Sequence, residues 1–178
     1  MKIIQVLDFI QNNIRSNFLD AIMPVISLIG NNGGIWIAVA LIFIAVKKHR
    51  IDGHAILSAL FMGFLICNVS LKPLVARIRP CDVNTAIELL ISRPNDYSFP
   101  SGHTVSSFAA ATVIFLRNKH IGIAAIILAC LIAFSRLYLY VHYPSDILVG
   151  ILIGIVIGVF IRFAQDKIIK VKKTTKNE

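Results

Sequence analysis

The chain has 178 residues, of which 57% are hydrophobic, with mean hydropathy +0.78 and a formal net charge of +9. That length suits one domain, and the apolar share exceeds the about 45–50% of a soluble one, so a water-soluble globular protein is excluded. The charge does not mark a nucleic-acid binder, because the basic residues sit between apolar blocks, where membrane topology puts them.

Residues 3–19, IIQVLDFIQNNIRSNFL, carry apolar side chains at 3, 6, 7, 10, 14 and 18. That spacing predicts an amphipathic helix at the membrane interface, within residues 1–20. Gln5, Asp8, Gln11, Asn12, Asn13 and Arg15 interrupt it, so no cleavable signal peptide is evident. A first span is expected from Val25 to Val46, with GNNGG (30–34) as a helix weak point near one end. A second runs from His54 to Leu71, a third from Ser101 to Leu116, a fourth from His120 to Tyr138, and a fifth from Pro144 or Ser145 to Arg162. A bilayer core of about 30 Å needs about 20 apolar residues, which the two shortest blocks reach only with their flanks. The expected fold is therefore all-α: a polytopic transmembrane helical bundle of five spans plus the interfacial helix, or six spans if residues 3–19 insert. One membrane-embedded domain would fill residues 1–178.

Residues 81–99 are too polar for lipid and are expected to form an outer loop or lid, with AIELLI (86–91) as a short amphipathic piece. Eleven of the eighteen Lys and Arg fall at Lys47, Lys48 and Arg50, at Arg117 and Lys119, and along the tail from Arg162 to Lys176. With five spans these places share one side, which the positive-inside rule makes cytoplasmic, with residues 164–178 as a basic tail. Gly150, Gly154 and Gly158 share one face of the last span and favour close helix packing within the chain. Cys67 and Cys130 read as apolar fillers, Cys81 has no obvious partner, and neither a disulfide framework nor zinc spacing is present.

The chemistry-bearing residues gather at the other ends of the spans. KPLVARIRP (72–80) supplies Lys72 and Arg79; PSGH (100–103) supplies Ser101, Gly102 and His103; SRLYLYVHYPSD (135–146) supplies Arg136, His142 and Asp146. Lys72, Arg79 and Arg136 at a membrane boundary, with no matching carboxylates among them, would repel one another unless an anion joined them. A phosphate fits, and guanidinium forks match its oxygens. Ser101 and Gly102 open a helix whose free N–H groups favour an anion, and Ser101 can cap that helix or donate to a phosphate oxygen. Asp146, four residues after His142, can accept Nδ1–H and leave Nε2 free as a nucleophile. Tyr138, Tyr140 and Tyr143 suit the interface as amphipathic rings.

Together these clusters resemble the phosphatidic acid phosphatase type 2 family, which shares its core with vanadium haloperoxidases: Lys, six residues, Arg-Pro; Pro-Ser-Gly-His; Ser-Arg, five residues, His, three residues, Asp. The resemblance implies a membrane lipid phosphatase working through a phosphohistidine, with no metal ion and no cofactor. By position, it implies that His142 attacks phosphorus, Asp146 holds His142, and His103 protonates the leaving oxygen and then activates water. Lys72, Arg79, Ser101, Gly102 and Arg136 would bind the phosphate. The expected partners are a lipid phosphate substrate and the bilayer, not nucleic acid. The site would face the non-cytoplasmic side of the plasma membrane. Undecaprenyl pyrophosphate leads as substrate, by analogy with small relatives, ahead of phosphatidylglycerol phosphate and phosphatidic acid. A vanadate-dependent peroxidase and an anion transporter or lipid-binding protein are the competing classes. Cys130 and Arg136 match the spacing of cysteine phosphatases, but an apolar helix between them offers no phosphate-binding loop.

Overall fold

The computed structural model describes residues 2–174, and side chains within residues 4–168. All regular elements among these residues are helical. α1 spans Lys2–Asn13. It stops short of residue 19 because Ser16 caps a new helix, its Oγ accepting from the Leu19 N–H at 3.3 Å. α2 spans Asn17–Ile29, and a 3₁₀ turn at Asn31–Gly33 separates it from α3, Gly34–Ala45. The two helices meet at a 47° bend, so the expected first span is a broken one beginning at Asn17. The break has a local cause: Asn32 and Gly33 both adopt the left-handed region, at φ 52° and 71°.

α4 covers Arg50–Phe64 and passes through a π-helical stretch, Leu65–Leu71, into the short α5, Lys72–Val75. Ala76, at φ 48°, ends α5. α6 is Pro80–Val83. Residues 84–101 then run without regular structure, so AIELLI is not a helix; Ile87, Leu89, Leu90 and Ile91 pack singly against the Leu7–Tyr140 cluster. α7 (Gly102–Arg117), α8 (Lys119–Tyr138) and α9 (Pro144–Thr174) complete the chain. α9 continues past Arg162, so the basic tail begins as helix; residues 175–178 lie outside the described ones.

Three helical stretches are long and apolar enough to cross a membrane, Arg50–Val83, Lys119–Tyr138 and Pro144–Ile168, and the bent α2–α3 pair qualifies as a fourth. α7, with 16 residues, falls short by itself. It is the central helix, with Val105, Ala109, Ala110, Ala111 and Val113 buried among α3, α4, α8 and α9. Around it, Leu41, Phe61, Ile127, Leu152 and Phe160 point outward. Water would penalise such a belt and hydrocarbon would not. This is a membrane protein.

The glycine stripe of α9 faces α7, not a second molecule: a Cβ at Gly154 would lie 2.8 Å from Phe108 Cβ, and one at Gly158 2.6 Å from Thr112 Cβ. Trp36 Nε1–H donates to Ser107 Oγ at 2.9 Å, tying α3 to α7. At one end of the bundle the buried Asp52 accepts from Arg162 (2.9 Å) and Arg117 (3.2 Å), which neutralises a carboxylate there. The candidate site occupies the other end.

Candidate active site

His142 sits in the turn joining α8 to α9. The turn is sharp because Tyr140 adopts φ 59°, a left-handed conformation that costs a non-glycine residue energy and recurs at functional sites. Val141 N–H bonds back to Arg136 O at 3.2 Å, so the chain doubles over and drives the His142 ring inward, 1% exposed. Tyr138 and Tyr140 hold the turn from behind. Both are buried, and their hydroxyls donate to Asp20 and Asp8, each at 2.6 Å; Gln11 adds a bond to Tyr138 O at 2.7 Å. These tyrosines are thus internal ties to α1 and α2 and not interface rings. Tyr143 is also buried, under the Arg77 guanidinium at 3.8 Å.

The two ring nitrogens of His142 face different partners. Nε2 lies 3.2 Å from Arg79 Nη1, whose N–H donates to it, so Nε2 carries the lone pair. Nδ1 lies 3.4 Å from Asp146 Oδ2, a close approach without hydrogen-bond geometry. Burial, followed by the Arg79, Arg136 and Lys72 charges, pushes the ring's pKa well below the usual histidine value, so the imidazole is neutral.

Asp146, fully buried at the start of α9, is fixed on every side. Its Oδ1 accepts from Arg77 Nη1 at 2.6 Å, and its Oδ2 accepts from the Ser98 hydroxyl and the Tyr143 N–H. Arg77 and Ser98 were not singled out from the sequence. The left-handed Ala76 re-aims the chain after α5, which carries Arg77 to Asp146 while Arg79 reaches His142.

Lys72, Arg79 and Arg136 are all buried within one cavity, but two of them are already paired. Asp96, on the 84–101 segment, accepts from Arg79 Nη2 at 2.6 Å and forms an ion pair with Lys72. The expectation that these cations lack a carboxylate is therefore wrong. Sequence distance hid the partner, since Asp96 stands 24 residues from Lys72 in a segment without a helical pattern. Burial opposes the charge on Asp96, but the Lys72 hydrogen bond and the Arg79 charge outweigh it and hold the carboxyl at about 2. Asp96 remains half exposed. Arg136 donates to Ser27 of α2, and its buried Nε has no hydrogen-bond partner among the described residues.

Ser101 caps α7: its Oγ accepts from Thr104 N–H at 3.4 Å and from the Thr104 hydroxyl at 3.0 Å. It lies behind the cavity wall, whereas Gly102 and His103 line the cavity. A Cβ at Gly102 would press on Asn68 Oδ1 at 3.3 Å, and Asn68, within the π-helical stretch, lines the cavity too. His103 and His142 share this cavity, whose volume is about 1200 Å³. Its charged half is formed by Lys72, Arg79, Arg136 and the two histidines. Its apolar half, Val25, Leu28, Leu60 and Phe64, lies between α2 and α4. An anionic head and an apolar tail would both find matching walls. Among the described residues no His, Cys, Asp and Glu cluster suits a metal ion. Cys130 is exposed on α8 and away from the cavity, so the cysteine-phosphatase spacing has no structural counterpart.

The sequence profile of the PAP2 superfamily matches residues 52–170. Among curated proteins, the chain is 33% identical over 117 residues to an undecaprenyl-diphosphatase from Sulfolobus acidocaldarius, covering 65% of this chain and 56% of that protein. The chain thus matches little over half the length of that relative. Among solved structures it resembles Aquifex aeolicus LpxE, with TM-score 0.78, 29% identity and coverage of 90% of this chain and 94% of that one. It also resembles a PAP2 type phosphatidylglycerolphosphate phosphatase from Bacillus subtilis, with TM-score 0.71, 25% identity and coverage of 87% and 80%.

Proposed function

The chain belongs to the PAP2 superfamily, and on that premise we propose that it is an integral-membrane lipid phosphatase that removes the terminal phosphate of undecaprenyl pyrophosphate through a phosphohistidine. The observation that carries the reading is one cavity holding three buried cations and two imidazoles at its charged half, with an apolar half beside them.

The proposed reaction has two steps. The phosphoryl group enters between His142 and the Lys72, Arg79 and Arg136 cations, displacing Asp96 from Lys72 and Arg79. The lone pair on His142 Nε2 attacks phosphorus. The bond to the leaving lipid-phosphate oxygen breaks as His103, protonated, gives that oxygen its proton. Nδ1–H of His142 turns toward Asp146 as positive charge grows on the ring; the 3.4 Å gap closes into a hydrogen bond. In the second step His103 takes a proton from water, the water oxygen bonds to phosphorus, and the N–P bond breaks. The cations and the Gly102 N–H hold the equatorial oxygens throughout, where charge shifts in the transition state. Ser101 acts by capping α7 and so aiming that N–H. The cations supply the positive field that a metal would otherwise bring, so the reaction is proposed to need no metal or cofactor.

The site opens on the non-cytoplasmic face of the plasma membrane, with Arg117, Arg162 and the tail on the cytoplasmic side. α1 lies at the interface, and residues 81–99 form the lid over the headgroup. The chemistry favours a substrate whose tails remain in the bilayer, since the apolar half lies between helices. Phosphatidylglycerol phosphate and phosphatidic acid are the alternative substrates. The test is a panel of undecaprenyl pyrophosphate and these two lipids on purified protein in detergent with EDTA. Preferential release of phosphate from the polyprenyl substrate is expected. Preference for a glycerophospholipid would overturn the substrate, and loss of all activity with EDTA would overturn the metal-free mechanism.

A further inference from the structure

We infer that Asn31, in the GNNGG break between α2 and α3, is a positioning residue for His103: it holds Nε2–H of the ring and leaves Nδ1 as the nitrogen that transfers protons. The inference rests on the proposed role of His103 as acid and base.

The break is otherwise hard to explain. It interrupts an apolar span with two asparagines, and it places Asn32 and Gly33 in succession in left-handed conformations. Non-helical backbone within a membrane segment persists where it lines a cavity. All four residues of the break, Gly30 to Gly33, line the cavity that holds the two histidines. Asn31 Oδ1 lies 2.8 Å from His103 Nε2. Gly30 lets the turn press against the ring: a Cβ there would stand 3.1 Å from His103 Cδ2 and 2.9 Å from Ile132 Cγ2. The left-handed pair thus turns the chain so that a carboxamide, and not a helix face, meets the imidazole.

The carboxamide oxygen only accepts hydrogen bonds, so it favours a proton on Nε2 in both charge states of the ring. Neutral His103 then carries its lone pair on Nδ1, and the imidazolium carries its transferable proton there. Among the described residues Nδ1 has no hydrogen-bond partner. His142 is oriented the opposite way, with Nδ1 facing Asp146 at 3.4 Å and Nε2 accepting from Arg79 at 3.2 Å. The choice of amide over carboxylate fits the two roles. The proposed nucleophile gains positive charge and stays charged as phosphohistidine, which a carboxylate stabilises. The proposed acid must lose its proton readily, which a carboxylate would oppose.

The test compares kcat, KM and the pH dependence of kcat for Asn31→Ala and Asn31→Asp, beside His103→Ala and His142→Ala. In Asn31→Ala kcat should fall roughly 10- to 100-fold, as for loss of a ring-orienting partner, with KM within about threefold of the parent. Its high-pH limb should move to lower pH, because an acceptor for the imidazolium is gone. Asn31→Asp, close to isosteric, should move that limb up by about one pH unit or more. The second variant carries the test if the first does not fold. Parent kcat and unmoved limbs in both variants, or a lower kcat with the limb unmoved, would overturn the positioning role while His103→Ala stays inactive. Full activity in His103→Ala would instead overturn the reading on which the inference rests.

Discussion

Replacing Asp96 with Asn should make inorganic phosphate a stronger inhibitor. Asp96 holds Arg79 at 2.6 Å and also pairs with Lys72, two of the three cations proposed to bind the substrate's phosphate. Phosphate must therefore compete with a resident carboxylate. At about 3 Å and an effective dielectric of about 20, each pair is worth about 5 kcal/mol before solvation costs. The Asp96 side chain is 51% exposed, however, and exposed pairs retain only about 0.2–1 kcal/mol each. Two such pairs leave about 0.4–2 kcal/mol opposing phosphate, or about 2- to 30-fold in affinity. The amide of Asn keeps the shape and removes the charge. In a detergent assay at neutral pH, the inhibition constant for phosphate should fall by about that factor, and KM should fall with it. Because the Lys72 and Arg79 partners hold the Asp96 carboxyl at about 2, below its ordinary value, its pairs are intact from about pH 5 to 8. They weaken only as pH falls toward about 2, so the ratio of inhibition constants should be flat over that range. An unchanged or larger inhibition constant in Asp96→Asn would show that Asp96 braces the cations for phosphate instead of competing with it.

Arg77→Gln leaves the buried Asp146 without its cation, so thermal unfolding should show a loss of about 2 kcal/mol, less than for a fully buried pair because Arg77 is part-exposed. The same variant should lower kcat more than it raises KM, since Asp146 is proposed to act through His142. Gly154→Leu should cost at least about 1–3 kcal/mol by overpacking, because even a Cβ there would meet Phe108 Cβ at 2.8 Å; an unshifted unfolding temperature would contradict the close α7–α9 contact. Tyr140→Phe strands Asp8 and removes a tie on the turn that carries His142, and should cost about 1 kcal/mol in stability with a measurable drop in kcat.

The three motif clusters were legible in the sequence because each sits where an apolar block ends, so topology alone brought residues 72–79, 100–103 and 136–146 to one level. The structure puts Lys72, Arg79, Arg136, Gly102, His103 and His142 around one cavity, and Asp146 and Ser101 just behind it. The carboxylate, hydroxyl and amide partners were hidden for a common reason. Asp96, Ser98 and Asn31 lie in segments without periodicity, whose positions depend on left-handed turns at Asn32, Gly33 and Ala76 that only tertiary packing decides. The tyrosines were misread because composition makes them amphipathic anchors, whereas Asp8 and Asp20 draw Tyr140 and Tyr138 inward. AIELLI reads as a short amphipathic piece, and its apolar residues are spent one by one against Leu7 and the Tyr140 turn. The α1 boundary turned on a single cap at Ser16.

The proposed phosphohistidine is tested most directly by rapid quench of the enzyme with substrate labelled with ³²P in its terminal phosphate. Label should appear transiently on the peptide carrying His142, be lost in acid and survive base, and be absent in His142→Ala, which should be inactive. Turnover with no protein-bound label, or His142→Ala retaining activity, would contradict the account.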